Sequence, residues 1–190
     1  MTKQELRKLY TQKRENLKEA EYLQLNHALS EVFFAHVDLS FVHVLHVFLP
    51  LIQKHEPDTW LIIDRIRREF PHVRLSIPRV NRDKDELENF YFEGLHQLET
   101  NTWGIQEPKQ GIPTPIEKID MVLVPLLTFD IKGNRVGYGK GYYDKFLNTC
   151  RESCNTIGLS LFPPVEVIDD INDQDIPLKC AITPNGYFHF

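Results

Sequence analysis

Cysteine is scarce in this chain of 190 residues, which holds only Cys150, Cys154 and Cys180. With an odd count and no C-x-x-C spacing, reduced thiols in a cytoplasmic protein are the simplest account. Cys150 and Cys154, four residues apart, are expected to pack on one helix rather than bind metal. There is no apolar run near the ~20 residues that cross a bilayer. The opening, M-T-K-Q-E-L-R-K, lacks the apolar centre of a secretion signal. No basic excess exists either. Lys and Arg number 22 against 27 Asp and Glu, a net charge of −5, so no broad positive field invites nucleic acid. Repeats and low-complexity segments are also missing. The remainder is 42% hydrophobic and 26% charged, as in ordinary globular proteins. That length allows one domain, residues 1–190, to build its own core, and a monomer is expected.

Helical spacing runs through residues 3–16, where Leu6, Leu9, Tyr10 and Leu17 form a stripe. Lys3, Arg7 and Arg14 share one broad face of that helix, which spacing alone reads as solvated and basic. A second helix is predicted over residues 19–35. Residues 41–49 are β-branched and aromatic and read as a central strand. His43 and His46 in that strand would face opposite sides, which disfavours a shared metal ion. Pro57 and Asp58 signal a helix over residues 57–70, with Glu56 just before it as a cap or dipole partner. Strands follow at residues 73–80, near an edge, and within 89–98. Residues 81–88 read as a charged turn, and 111–118 as a linker. Further strands fall at 120–124, 156–161 and the 180–190 tail. Alternation of strands and helices predicts an α/β fold: three layers, α/β/α, with a mainly parallel, Rossmann-like central sheet.

The stretch that organises the chain is residues 120–146. An apolar run ends at Pro125, and Lys132-Gly133-Asn134 forms a turn. Arg135 and the glycines Gly137, Gly139 and Gly141 come next, before a helical pattern around Tyr142, Tyr143, Phe146 and Leu147. A glycine-rich loop entering a helix points backbone N–H groups at an anion, aided by the helix dipole. Lys140 and Arg135 add full positive charges, so phosphate is the natural guest. Asp144 has no reason to touch phosphate directly, and a bridging Mg²⁺ would supply one. The spacing matches neither G-x-x-x-x-G-K-[ST] nor G-x-G-x-x-G, and glycine clusters can be mere tight turns.

The whole string, V-P-L-L-T-F-D-x-x-G-N-R-V-G-Y-G-K-G-Y-Y-D, resembles the signature of the 5-formyltetrahydrofolate cyclo-ligase family, also called 5,10-methenyltetrahydrofolate synthetases. That resemblance implies ATP-dependent cyclisation of 5-formyltetrahydrofolate, with or without a polyglutamate tail, with Mg²⁺. It puts Lys3 and Arg7, matching the family's opening K-x-x-x-R, on the ATP phosphates, with Arg14 in looser register. Arg135, Gly137, Gly139, Lys140, Gly141 and Tyr143 would also hold the nucleotide. Lys140, Arg135 and Tyr142 would be catalytic, with Tyr138 and Tyr142 bordering the formyl end of the folate. Leu51 and Glu56 fall on positions that touch folate in the family, and a carboxylate suits pterin N–H donors. W-G-I-x-E-P also matches, so Trp103 would stack on a flat ligand; otherwise it is a loop anchor. Asp144 and Asp175 would hold Mg²⁺. Gln174, where many relatives have His, and Lys179, where an acidic residue is common, depart from the pattern around Asp175. Without the resemblance, residues 169–175 read as solvated acidic loop. Two rivals stand: an α/β enzyme using the loop for a phosphosugar or acyl-CoA, and a silent folate- or nucleotide-binding protein.

Overall fold

Successive residues along the middle strands are buried, so the sheet must be covered on both faces. On the strand Met121–Pro125, Met121 and Leu123 enter one core and Val122 and Val124 the other. The computed structural model describes residues 1–101 and 104–190. Its helices are α1 (Lys3–Glu15), α2 (Glu19–His36), α3 (Trp60–Glu69) and α4 (Tyr142–Thr149). Its strands are β1 (Val44–His46), β2 (Arg74–Asn81), β3 (Glu86–Tyr91), β4 (Leu98–Thr100), β5 (Gln106–Pro108) and β6 (Met121–Pro125). The rest are β7 (Thr128–Phe129), β8 (Arg135–Val136), β9 (Asn155–Leu159), β10 (Cys180–Thr183) and β11 (Gly186–His189).

Seven strands form the main sheet in the order β11-β10-β9-β6-β1-β2-β3. The middle five pair in parallel, while hairpins add β3 and β11 antiparallel at the edges. Helices α2 and α3 cover one face with Phe33, Ile62, Ile63 and Ile66; α4 covers the other with Phe146 and Leu147. Each of those isoleucines is buried, worth about 1.5–3 kcal/mol. This is the three-layer α/β/α architecture that the sequence predicts. From β1 the chain moves outward to β2, and from β6 it moves the opposite way to β9. The sheet therefore reverses its winding between β1 and β6, where a ligand crevice opens beyond the carboxyl ends of strands.

Several boundaries differ from the sequence reading, each for a tertiary reason. Residues 41–49 hold only a three-residue ladder, Val44–His46; Val47, Phe48 and Leu49 after it are buried without strand pairing, and Phe41 before it is exposed. Helix α3 starts at Trp60, not Pro57. Thr59 gives its hydroxyl to the Phe48 carbonyl (2.6 Å), and the Asp58 amide donates to Asn26 (2.6 Å), so the lead-in is tied to neighbours instead of coiling. The expected turn at 81–88 is shorter, since Asn81 pairs Glu86 and Arg79 pairs Glu88 across a hairpin. Arg79 Nη2 lies 2.7 Å from the Glu88 carboxylate, a cross-strand ion pair that carries charge into the ladder. Helix α4 ends at Thr149, so Cys150 and Cys154 lie past it rather than on it. Among the described residues no helix is long and apolar enough to cross a membrane.

Candidate active site

The loops after β1 and β6 face each other across one cleft of about 1390 Å³. Its β6 wall is built from a rigid hairpin. The buried Asp130 carboxylate accepts from the amides of Lys132 (2.9 Å) and Asn134 (3.0 Å) and from the Asn134 side chain (2.9 Å). That turn hands the chain to β8, where Arg135 is almost wholly buried. Its guanidinium binds Asp144 Oδ1 (2.7 Å) and the carbonyl of Ile176. Burial pushes the Arg135 pKa down, and the Asp144 charge opposes that most.

Beyond β8 the backbone turns through two left-handed glycines, Gly139 (φ +88°) and Gly141 (φ +72°), a region that strains other residues. A Cβ on Gly139 would also lie 3.2 Å from the Arg7 guanidinium carbon. Arg7 Nε donates to the Gly137 carbonyl (2.9 Å), fastening α1 to the loop. Gly141 is the N-cap of α4 and offers no capping side chain. Among the described residues, the amides from 137 to 144 donate to no acceptor. Eight exposed-backbone or first-turn positions thus leave their N–H groups for a guest, the feature an anion site requires. Lys140 stands exposed beside them.

The two carboxylates read as metal ligands come together here. Asp144 Oδ1 accepts from the Ile176 amide (3.2 Å), which sets it beside Asp175, and both charges act on Arg135. Asp175 binds Lys3 Nζ and the Asn172 amide (2.8 Å). Lys179 turns away, donating to the carbonyls of Glu152 and Cys154 (2.8 Å), so its departure from the family pattern leaves Asp175 untouched.

The β1 wall is made differently. Glu56 is buried, and its carboxylate accepts from the Leu51 amide (2.8 Å); it is not a cap of α3. Arg14 donates to the Tyr138 hydroxyl (3.0 Å) and to the Leu126 carbonyl. Burial pushes the Glu56 carboxyl up, opposed by the Leu51 amide, Tyr138, Arg14 and Lys54. Burial also raises the Tyr138 phenol, and the Glu56 charge adds to it. The solvated reading of the basic helix face fails: Lys3 and Arg14 are among the buried residues of α1.

Lys3, Arg7, Leu51, Glu56, Arg135, Gly137, Tyr138, Gly139, Lys140, Gly141, Tyr142, Tyr143, Asp144 and Asp175 all line this cleft. Trp103 lies outside the described residues. The sequence reading missed the hairpin tip as a third wall. Asp85 binds Lys145, and that contact first, with Tyr142 as a lesser one, holds its carboxyl below the usual range. A charged turn followed by a helix lysine sixty residues later leaves no local signal, because only the sheet order brings them together.

A family model for the 5-formyltetrahydrofolate cyclo-ligase family matches residues 1–184. The chain belongs to that family. It is 27% identical over 150 residues to the 5-formyltetrahydrofolate cyclo-ligase of Escherichia coli K12, covering 75% of this chain and 79% of that one. A probable 5-formyltetrahydrofolate cyclo-ligase of Schizosaccharomyces pombe is 38% identical over 109 residues, 49% of this chain and 52% of that one. The match to the Haemophilus influenzae cyclo-ligase, 39% identical, spans about a third of that protein (35%). Among solved structures, the 5,10-methenyltetrahydrofolate synthetase of Aquifex aeolicus superposes with a TM-score of 0.77 at 26% identity, over all of this chain and 93% of that one. The Mycoplasma pneumoniae synthetase gives the same TM-score at 23% identity, covering 97% and 99%, and supports the family fold.

Proposed function

We propose that this chain, acting as one domain, cyclises 5-formyltetrahydrofolate to 5,10-methenyltetrahydrofolate at the expense of ATP, releasing ADP and phosphate. The observation that carries the reading is the pairing of walls in one cleft. Unpaired amides flanked by Lys140 and Arg7 face a buried carboxylate, Glu56, which suits the N–H donors of a pterin.

A formamide carbon is a poor electrophile because nitrogen donates into it, and its oxygen leaves poorly. Transfer of the γ-phosphoryl to the formyl oxygen cures both faults and releases ADP. N10 of the same molecule then attacks the activated carbon and loses its proton, forming the C–N bond. The C–O bond breaks as phosphate leaves, and the product is the methenyl cation. Attack within one molecule gains from proximity. The protein's task is positioning and charge neutralisation: the amides from 137 to 144 and Lys140 hold the transferring group, and Arg7 steadies the loop that carries them. Tyr138 and Tyr142 border the formyl end. Mg²⁺, when bound, would neutralise phosphate charge, and the adjacent carboxylates of Asp144 and Asp175 supply the oxygen donors it prefers. Lys3 and Arg135 hold those carboxylates in place while facing the same anion.

The test follows absorbance of methenyl-folate from 5-formyltetrahydrofolate. Appearance with ATP, matched by ADP, supports the proposal. Phosphate release that is indifferent to the folate would favour another phosphate-using enzyme.

A further inference from the structure

His46 is fully buried on β1 and takes no part in the chemistry above. Its ring packs against Phe146 (4.7 Å between centroids), and its Nε2 lies 3.2 Å from the hydroxyl of Tyr143 in the first turn of α4. On the other side of the ring, Nδ1 has no close partner, and neither does the buried Asn89 Oδ1 on β3. Both lie on one sheet, and Asn89 opposes the fall in pKa that burial imposes on the ring. A hydrogen bond between them would satisfy two unpaired buried atoms at once.

An amide oxygen beside Nδ1 calls for the proton on Nδ1. Nε2 is then bare, and only the Tyr143 hydroxyl can supply the hydrogen in that bond. A phenol has one proton. With it turned inward, Tyr143 can offer the cleft only an acceptor. A phosphate oxygen at neutral pH is also an acceptor and gains nothing there. Glu56, a second acceptor, lines the same cleft as Tyr143. Two acceptors at one end of the cleft call for a guest with neighbouring donors.

Resting on the function proposed above, we propose that Tyr143 is a specificity residue for the reduced pterin ring, fixed as an acceptor by the relay Asn89–His46–Tyr143. This moves Tyr143 from the nucleotide phosphates, where the family resemblance places it, to the ring N–H groups of the folate. Asn89 and His46 are positioning residues.

Two measurements on the full chain decide it. Long-range ¹H–¹⁵N spectra of the labelled protein should show His46 protonated on Nδ1 and bare on Nε2; the reverse tautomer overturns the relay. Titration calorimetry of Tyr143→Phe should weaken 5-formyltetrahydrofolate about tenfold, while MgATP stays within about twofold. Loss of MgATP affinity with folate unchanged overturns the assignment. Asn89→Leu should weaken folate in the same direction, and Asn89→Asp, which keeps an acceptor facing Nδ1–H, should restore it. If the wild type binds folate but never cyclises it, the proposed reaction falls and these binding constants still judge Tyr143.

Discussion

The two walls of the cleft are built on opposite plans. On the β1 side, the Glu56 carboxylate is tied to the Leu51 amide, and Arg14 of α1 fastens the Leu126 carbonyl and the Tyr138 hydroxyl, so the side chains there are paired without a ligand except at Arg14 Nε. After β6, the amides from 137 to 144 are paired with nothing among the described residues, and no side chain caps α4. The contrast shows how recognition is divided. A ring with fixed donors needs a surface whose acceptors are already aimed, so rigidity is useful there. A phosphoryl group needs donors that the protein has not used, so the second wall must stay unfinished.

The largest effect should come from the unfinished wall. Lys140→Met is expected to lower turnover by about 10²–10³, the range for losing one preorganised donor to developing charge. Its side chain is exposed, so the melting temperature should move by less than about 2 °C. Comparable loss of activity and stability would make Lys140 structural and blur the contrast. Asp144→Asn should come next, raising the half-saturating Mg²⁺ concentration by at least about tenfold. An unchanged Mg²⁺ titration would leave Asp144 only its ion pair with Arg135.

The finished wall should respond in the other way. Arg14→Met strands the Tyr138 hydroxyl and the Leu126 carbonyl, and should cost about 2–3 kcal/mol of stability. In a chain of this length that is a fall of about 5–10 °C in melting temperature. Folate affinity should weaken with it, while MgATP affinity holds. A variant as stable as the wild type would show that the wall is not pre-built by Arg14.

How much of this was legible beforehand follows from where each constraint resides. The parallel sheet and the glycine loop are written in local patterns: apolar runs at β6 and β9, and three glycines ahead of a helix. The lining of the cleft by Lys3, Glu56 and Asp175 was legible only through family resemblance, because these residues are far apart in the chain. The start of α3 was misread because Thr59 is claimed by the Phe48 carbonyl, a tertiary contact that outbids the Pro57 signal. The inward turn of Arg14 was hidden for a similar reason: helical spacing shows that basic residues share a face, not whether that face meets water or a carbonyl. The Asp85–Lys145 contact required the order of the strands.

The smallest effect sharpens the comparison through pH. Burial raises the Glu56 pKa, so the folded chain holds a proton on it that the unfolded chain has already released. Stability contributed by that proton is complete below the ordinary carboxylate value and is lost as pH rises through the raised one. Glu56→Gln cannot titrate. Its melting temperature should therefore gain on the wild type as pH rises across that window, then keep a constant lead. Melting curves of both proteins over the acidic to neutral range measure it. A lead that shrinks with rising pH would mean that the Leu51 amide, Tyr138, Arg14 and Lys54 together outweigh burial and hold Glu56 charged. The wall after β1 would then be an electrostatic trap like its neighbour, and the division of labour between the two would not stand.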